Sequence, residues 1–164
     1  LERYEWQPSV MNQKGQPSSQ PILSDMTTEE LQFISSLMQS QVFEADQVIC
    51  KEGDPADKLF FVEEGQVSVW VNVLVSVSKK KKKRINVIGE GFAFGEGALL
   101  GAESRIADIV ADQKSIVSWF DTHQLFDNNS SIALNIQKKL YKNLAIETFH
   151  KLEWTNKEIK SLMQ

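Results

Sequence analysis

The chain has 164 residues, 41% of them apolar and 24% charged, the makeup of one globular domain with a hydrophobic core and short extras. A net charge of −4 excludes general attraction to nucleic acid, although six cations crowd into Lys79–Arg84 and removing them leaves −10. One cysteine excludes an intrachain disulfide, two histidines give no metal-site spacing, and no apolar run approaches the ~20 residues that span a bilayer.

Residues 1–23 carry scattered aromatics and then a Gln/Ser/Pro/Gly-rich stretch from Gln7 through Pro21, which reads as a linker or partly ordered segment. The domain is expected over 24–164. The chain opens at Leu1 rather than Met, as a piece of something larger would, and shows no signal-peptide pattern. A cytoplasmic setting is expected, including the cytoplasmic face of a membrane protein.

Ser24-Asp25-Met26-Thr27-Thr28-Glu29-Glu30 is a helix start, with hydroxyls to cap free N–H groups and acids suited to the helix dipole. Leu31, Ile34, Leu37 and Met38 then recur at helical spacing. From Val42 to about Phe120 short strands take over, separated by Gly53-Asp54, Glu64-Gly65, Gly89-Glu90-Gly91 and Asp112-Gln113. Val67, Val69, Val71 and Val73 alternate with Ser68, Trp70 and Asn72. Cys50, between Ile49 and Lys51, reads as a buried strand thiol. Strand-like runs flank the lysines and place them at a hairpin tip. Neither Gly nor Pro occurs after Asp121, and Ile132, Ile136, Leu140, Leu144, Phe149 and Leu152 form a helical stripe. The expected order is helix, β-barrel, helices.

The stretch Phe94-Gly95-Glu96-Gly97-Ala98-Leu99-Leu100-Gly101-Ala102-Glu103-Ser104-Arg105-Ile106-Ala107 carries the chemistry. Small residues let backbone approach a ligand, and a helical turn would aim N–H groups at one anion. Arg105 offers a planar charged fork for phosphate oxygens, and Glu96 an acceptor for a sugar hydroxyl. The rival reading is a Gly-rich turn with a surface Glu–Arg pair.

This stretch resembles the phosphate-binding cassette of cyclic-nucleotide-binding domains, in its Phe94, Gly95, Glu96, Ala98, Leu99, Leu100, Arg105 and Ala107 and in the Glu-to-Arg spacing. The segment from Glu52 through Val67 is similar to the same family's barrel hairpin, so the likeness spans roughly residues 24–160. It implies a mainly β fold with flanking helices: an eight-stranded jelly-roll β-barrel, an N-terminal helix and a C-terminal helical lid. It also implies that Arg105 pairs with a cyclic phosphate and Glu96 with the ribose 2′-hydroxyl. Backbone at Gly95, Gly97, Ala98 and Ala107 would complete the cradle, Ile106 follows the arginine, and Val69, Ile85 and Ile88 would wall the pocket.

Gly97, Ser104 and Ile106 depart from the family pattern, which has a larger apolar residue, a proline and a small residue there. Ile106 lacks the hydroxyl associated with guanine, which favours cAMP over cGMP as ligand. Arg105 through Asp112 and the tail from Leu144 to Ile159 are similar to versions appended to bacterial glutaminases and sulfate-permease-type transporters. An effector domain in the same or another chain is therefore an expected partner. No metal, enzymatic activity or specific DNA binding is expected. The alternative is a ligand-free structural module with a vestigial cassette, homodimeric through its last helix.

Asn143, Glu147 and Thr148 are lid candidates, although a solvated helix face is the preferred account of any one of them. Trp119, Phe149 and Trp154 could stack on a base, but aromatics at such spacing usually belong to a core. The run Lys79–Arg84 could touch anionic lipid or nucleic acid, or be a solvated loop tip. His123 has no catalytic partner in view.

Overall fold

The computed structural model describes residues 20–76 and 79–163. The segment expected as linker lies outside these residues up to position 19, but its end does not. Pro21–Leu23 form a single 3-10 turn, and Ile22 is fully buried. Helix α1 spans Thr28–Leu37. Its start is a capping box: Thr27 Oγ1 accepts from the Glu30 N–H, and Glu30 Oε2 accepts from the Thr27 N–H.

Among the described residues eight strands follow: β1 Gln39–Phe43, β2 Val48–Cys50, β3 Lys58–Glu64, β4 Gln66–Ser76, β5 Lys79–Gly89, β6 Ala93–Phe94, β7 Asp108–Ala111 and β8 Ser115–Asp121. They form two antiparallel four-stranded sheets, ordered β1-β8-β3-β6 and β2-β7-β4-β5. A 3-10 helix, Glu96–Leu100, interrupts the strands after β6. Helix α2 covers Thr122–Phe126 and α3 covers Ser131–Leu162.

The two-residue period of β3 explains the layering. Phe60 and Val62 point between the sheets, where Phe43, Cys50, Val67, Phe94, Ile109 and Val117 meet them. Leu59 and Phe61 point the other way, under the helices, against Ile22, Ile34, Phe120, Leu125, Ile136 and Leu140. Burying each large side chain contributes roughly 1.5–3 kcal/mol, so one strand welds two cores together.

Two expectations change, for the lysine run and for the stripe on α3, and one polar side chain joins the interior. The lysine run lies within β5, paired residue by residue with β4, because nothing in it breaks a strand; the connection falls at residues 77–78, outside the described residues. Ser68 is buried, its hydroxyl 2.6 Å from Asp112 Oδ1 and 2.9 Å from Trp70 Nε1. The stripe on α3 is core only as far as Leu144. Beyond it the helix leaves the body, and Phe149 and Trp154 are 58% and 65% exposed.

Candidate functional site

Two motifs that lie far apart in sequence fold as one unit. The Gly53 N–H donates to the Arg105 carbonyl and the Arg105 N–H donates to the Asp54 carbonyl, both at 2.8 Å. The Ala56 N–H reaches the Glu103 carbonyl at 3.2 Å, and Pro55 bridges to Ser104. The loop after β2 thus fixes the backbone of Arg105 from behind.

The guanidinium is fixed from the front. Arg105 Nη2 donates to the Lys58 carbonyl at 2.8 Å, and Nη1 donates to the Gly95 carbonyl at 3.4 Å. The group lies over the Phe60 ring, 5.1 Å from its centroid. These two bonds use only part of the five N–H groups a guanidinium carries. Arg105 is 8% exposed, and among the described residues no carboxylate pairs with it. A buried cation without a counter-ion is costly, and it gains most from an anion that arrives from outside.

Such an anion has a place to go. Arg105 borders a cavity of about 480 Å³, within the range of small-molecule sites. Its walls are largely apolar: Val69 from β4, Ile88 from β5, Phe92, Phe94 and Ile109. Glu96 lies at the rim, three-quarters buried, with its Oε1 3.4 Å from Lys151 Nζ on α3. Glu147, one helical turn before Lys151, has its carboxyl raised above the ordinary value, by burial first and by the nearby Glu96 charge against the pull of Lys151.

Of the residues expected here, Gly95, Glu96, Gly97, Arg105, Ile106, Ala107, Val69 and Ile88 line the cavity. Two do not. Ala98 spends its N–H on the Gly95 carbonyl within the 3-10 helix. Ile85 is the extra residue of a bulge, between Arg84 opposite Trp70 and Asn86 opposite Val69, and is 61% exposed. Asn86 takes the place on the cavity wall that Ile85 was expected to hold.

The lid candidates also sort themselves. Asn143 is buried, and its Nδ2 donates to the carbonyls of Ile22 and Ser24 at 2.9 and 2.8 Å, a tie between α3 and the first turn. Thr148 is exposed and does not line the cavity, nor do Phe149 and Trp154. Trp119 packs on the inter-sheet core. Lys151 was missed, although it stands four residues after Glu147, on the same helix face.

Gly95 is required by its backbone. It sits at φ +81°, and a Cβ there would lie 2.5 Å from Arg105 Nη1. Cys50 lines the cavity as a buried thiol, pushed up to about 11 by burial, which the charge of Arg105 only partly offsets. Behind the cassette, Asp108 accepts from Lys82 Nζ and from the Glu52 N–H, and these bonds hold its carboxyl below the usual range. Among the described residues no group of His, Cys, Asp or Glu is arranged to hold a metal ion, and no helix is long and apolar enough to cross a membrane.

Comparison with known proteins places this arrangement. Residues 40–127 match the family model described as cyclic nucleotide-binding domain. Glutaminase 1 of Bradyrhizobium diazoefficiens is 34% identical over 95 residues, 58% of this chain and 14% of that protein. The cGMP-dependent protein kinase egl-4 of Caenorhabditis briggsae is 28% identical over 95 residues, 58% of this chain and 12% of that protein. This chain therefore spans a minor part of the curated relatives it matches. The catabolite activator protein of Thermus thermophilus superposes with a TM-score of 0.69 at 21% identity, over 87% of this chain and 62% of that one. That superposition supports the fold alone. The matched family model, spanning more than half of the chain and both motifs that hold Arg105, makes this chain a member of the cyclic nucleotide-binding domain family, whose role is regulatory rather than catalytic.

Proposed function

We propose that this chain is a sensor whose cavity takes cAMP in preference to cGMP, with the cyclic phosphate on Arg105 and the ribose hydroxyl on Glu96. The observation that carries the reading is a buried guanidinium that no carboxylate among the described residues pairs with, lining a largely apolar cavity that has Glu96 at its rim. Gly95, Gly97, Ile106 and Ala107 would close round the phosphate, and Val69 and Ile88 would face the base and sugar. Ile106 supplies no hydroxyl for guanine, which is the reason for preferring cAMP.

The signal leaves through α3. A ribose hydroxyl on Glu96 competes with Lys151 for the same carboxylate, so ligand and helix position are coupled. The receiver is an effector domain in the same or another chain, in a cytoplasmic setting. Isothermal titration with cAMP and cGMP tests the reading: binding of cAMP that Arg105→Leu removes supports it. Absence of heat for both nucleotides at about 100 μM protein, confirmed by equilibrium dialysis, overturns it.

A second reading rests on the exposed apolar stripe Phe149, Leu152 and Ile159 on α3. It makes the chain a homodimeric structural module with a vestigial cassette. A dimer by light scattering together with no nucleotide binding would favour it.

A further inference from the structure

The sheet narrows beyond Trp70. Strand β4 pairs with β7 only from Val67 to Trp70, whereas its pairing with β5 continues to Ser76. The distal part is a two-stranded ribbon, a form of marginal stability by itself in water. Three times along it the ladder sets an aliphatic side chain opposite a lysine: Leu74 and Lys80, Val73 and Lys81, Val71 and Lys83.

The cations fall into two groups. Lys82 is committed to Asp108 on β7, and Arg84 to Asp112 just after that strand. Lys80, Lys81 and Lys83 are exposed and enter no ion pair among the described residues. Beside them Leu74 is 72% exposed and Val75 58% exposed. Strand β5 is a sheet edge, and lysine on an edge discourages pairing with another chain. That role accounts for a lysine or two. It does not account for lysines on both faces, nor for bare aliphatic side chains next to them.

We propose that this β4–β5 ribbon docks on an anionic lipid surface. Leu74 and Val75 enter the boundary between headgroups and acyl chains, while Lys80, Lys81 and Lys83 meet headgroup phosphates and carboxylates. Lipid is favoured over nucleic acid because the ribbon beyond Trp70 offers aliphatic side chains and no aromatic ring for bases to stack on. The proposal does not rest on nucleotide binding.

Flotation of the 164-residue chain with vesicles tests it, using phosphatidylcholine alone or with about 30% phosphatidylserine. Association with the anionic vesicles only is expected, lost on raising salt from ~0.1 to ~0.5 M. Replacing Lys80, Lys81 and Lys83 together by Gln should lower partitioning on the order of a hundredfold. Leu74→Ser with Val75→Ser should lower it about tenfold at unchanged charge. All five positions are exposed, and an unchanged thermal midpoint confirms that the variants fold. Three outcomes overturn the proposal: no association with anionic vesicles, association that survives the lysine replacements, or binding to a DNA duplex as tight as to vesicles and indifferent to the serine replacements.

Discussion

Lys151 Nζ stands 3.4 Å from Glu96 Oε1, joining the last helix to the rim of the cavity across 55 residues of sequence. The lysine is mostly exposed, so the contact contributes little to stability, about 0–1 kcal/mol. Its role is positional. Lys151→Gln should leave the unfolding midpoint unchanged and tighten cAMP binding up to about fivefold, because the carboxylate no longer has to be released. Titration calorimetry measures this, and weaker binding by the variant would show instead that Lys151 helps hold the ligand.

Arg105 poses a sharper question, because this charge is buried and no carboxylate among the described residues pairs with it. Replacing a buried charge by a hydrocarbon of similar bulk is often neutral or stabilising. Arg105→Leu should therefore change the stability of the ligand-free protein by no more than about 1 kcal/mol while weakening cAMP by roughly 2–5 kcal/mol. Chemical unfolding and titration on one preparation separate the effects. Equal losses in both would make Arg105 a structural residue.

Gly95→Ala combines two faults. An alanine at φ +81° costs roughly 1–2 kcal/mol, and its methyl group would meet Arg105 Nη1. Stability should fall by at least that amount and nucleotide affinity should fall further than for Gly97→Ala, whose Cβ meets only the Ala102 methyl at 3.3 Å. Comparable affinities in the two variants would contradict this account.

Glu30 couples the helical layer to pH. Burial raises its carboxyl, but Lys139 Nζ at 2.6 Å and the Thr27 N–H at 2.8 Å prevail and hold it below the ordinary 4.5. A carboxylate lowered in the folded state contributes stability that is complete above the unfolded value and is lost as pH falls through the folded one. Urea unfolding should show this loss below about pH 4.5, and Glu30→Gln should flatten that part of the profile. Lys139→Met should cost about 1–3 kcal/mol at pH 7, shrinking on acidification. An identical acid slope with and without Glu30 would assign the loss to other groups.

The parts of the fold that were legible in sequence are those written locally. The Thr27–Glu30 cap, the alternation in β4, and the small residues between Glu96 and Arg105 each depend on neighbours within a few positions. What escaped depends on pairing across the chain. The bulge at Ile85 displaces one residue and passes the cavity wall to Asn86, a shift fixed by the ladder with β4. The lysine run, read as a loop, is held in a strand by Trp70 through Leu74 opposite, and by Asp108 and Asp112 beyond. Asn143 looked like a solvated residue because its partners are carbonyls more than a hundred positions away.

Asn143 also has a mechanical consequence. Its two bonds pin α3 to residues 22–24 near the point where the helix ceases to be part of the core. Lys151, which reaches Glu96 at the cavity rim, lies two turns beyond that pin. Under the proposed signalling route, Asn143 would act as the fulcrum of this helix, with the Lys151–Glu96 contact on one side and the turn at Ile22 and Ser24 held at the pivot. A ligand that tilted α3 would then have to break these two bonds or carry residues 22–24 along, which would reach the segment before α1 as well as the far end of the helix.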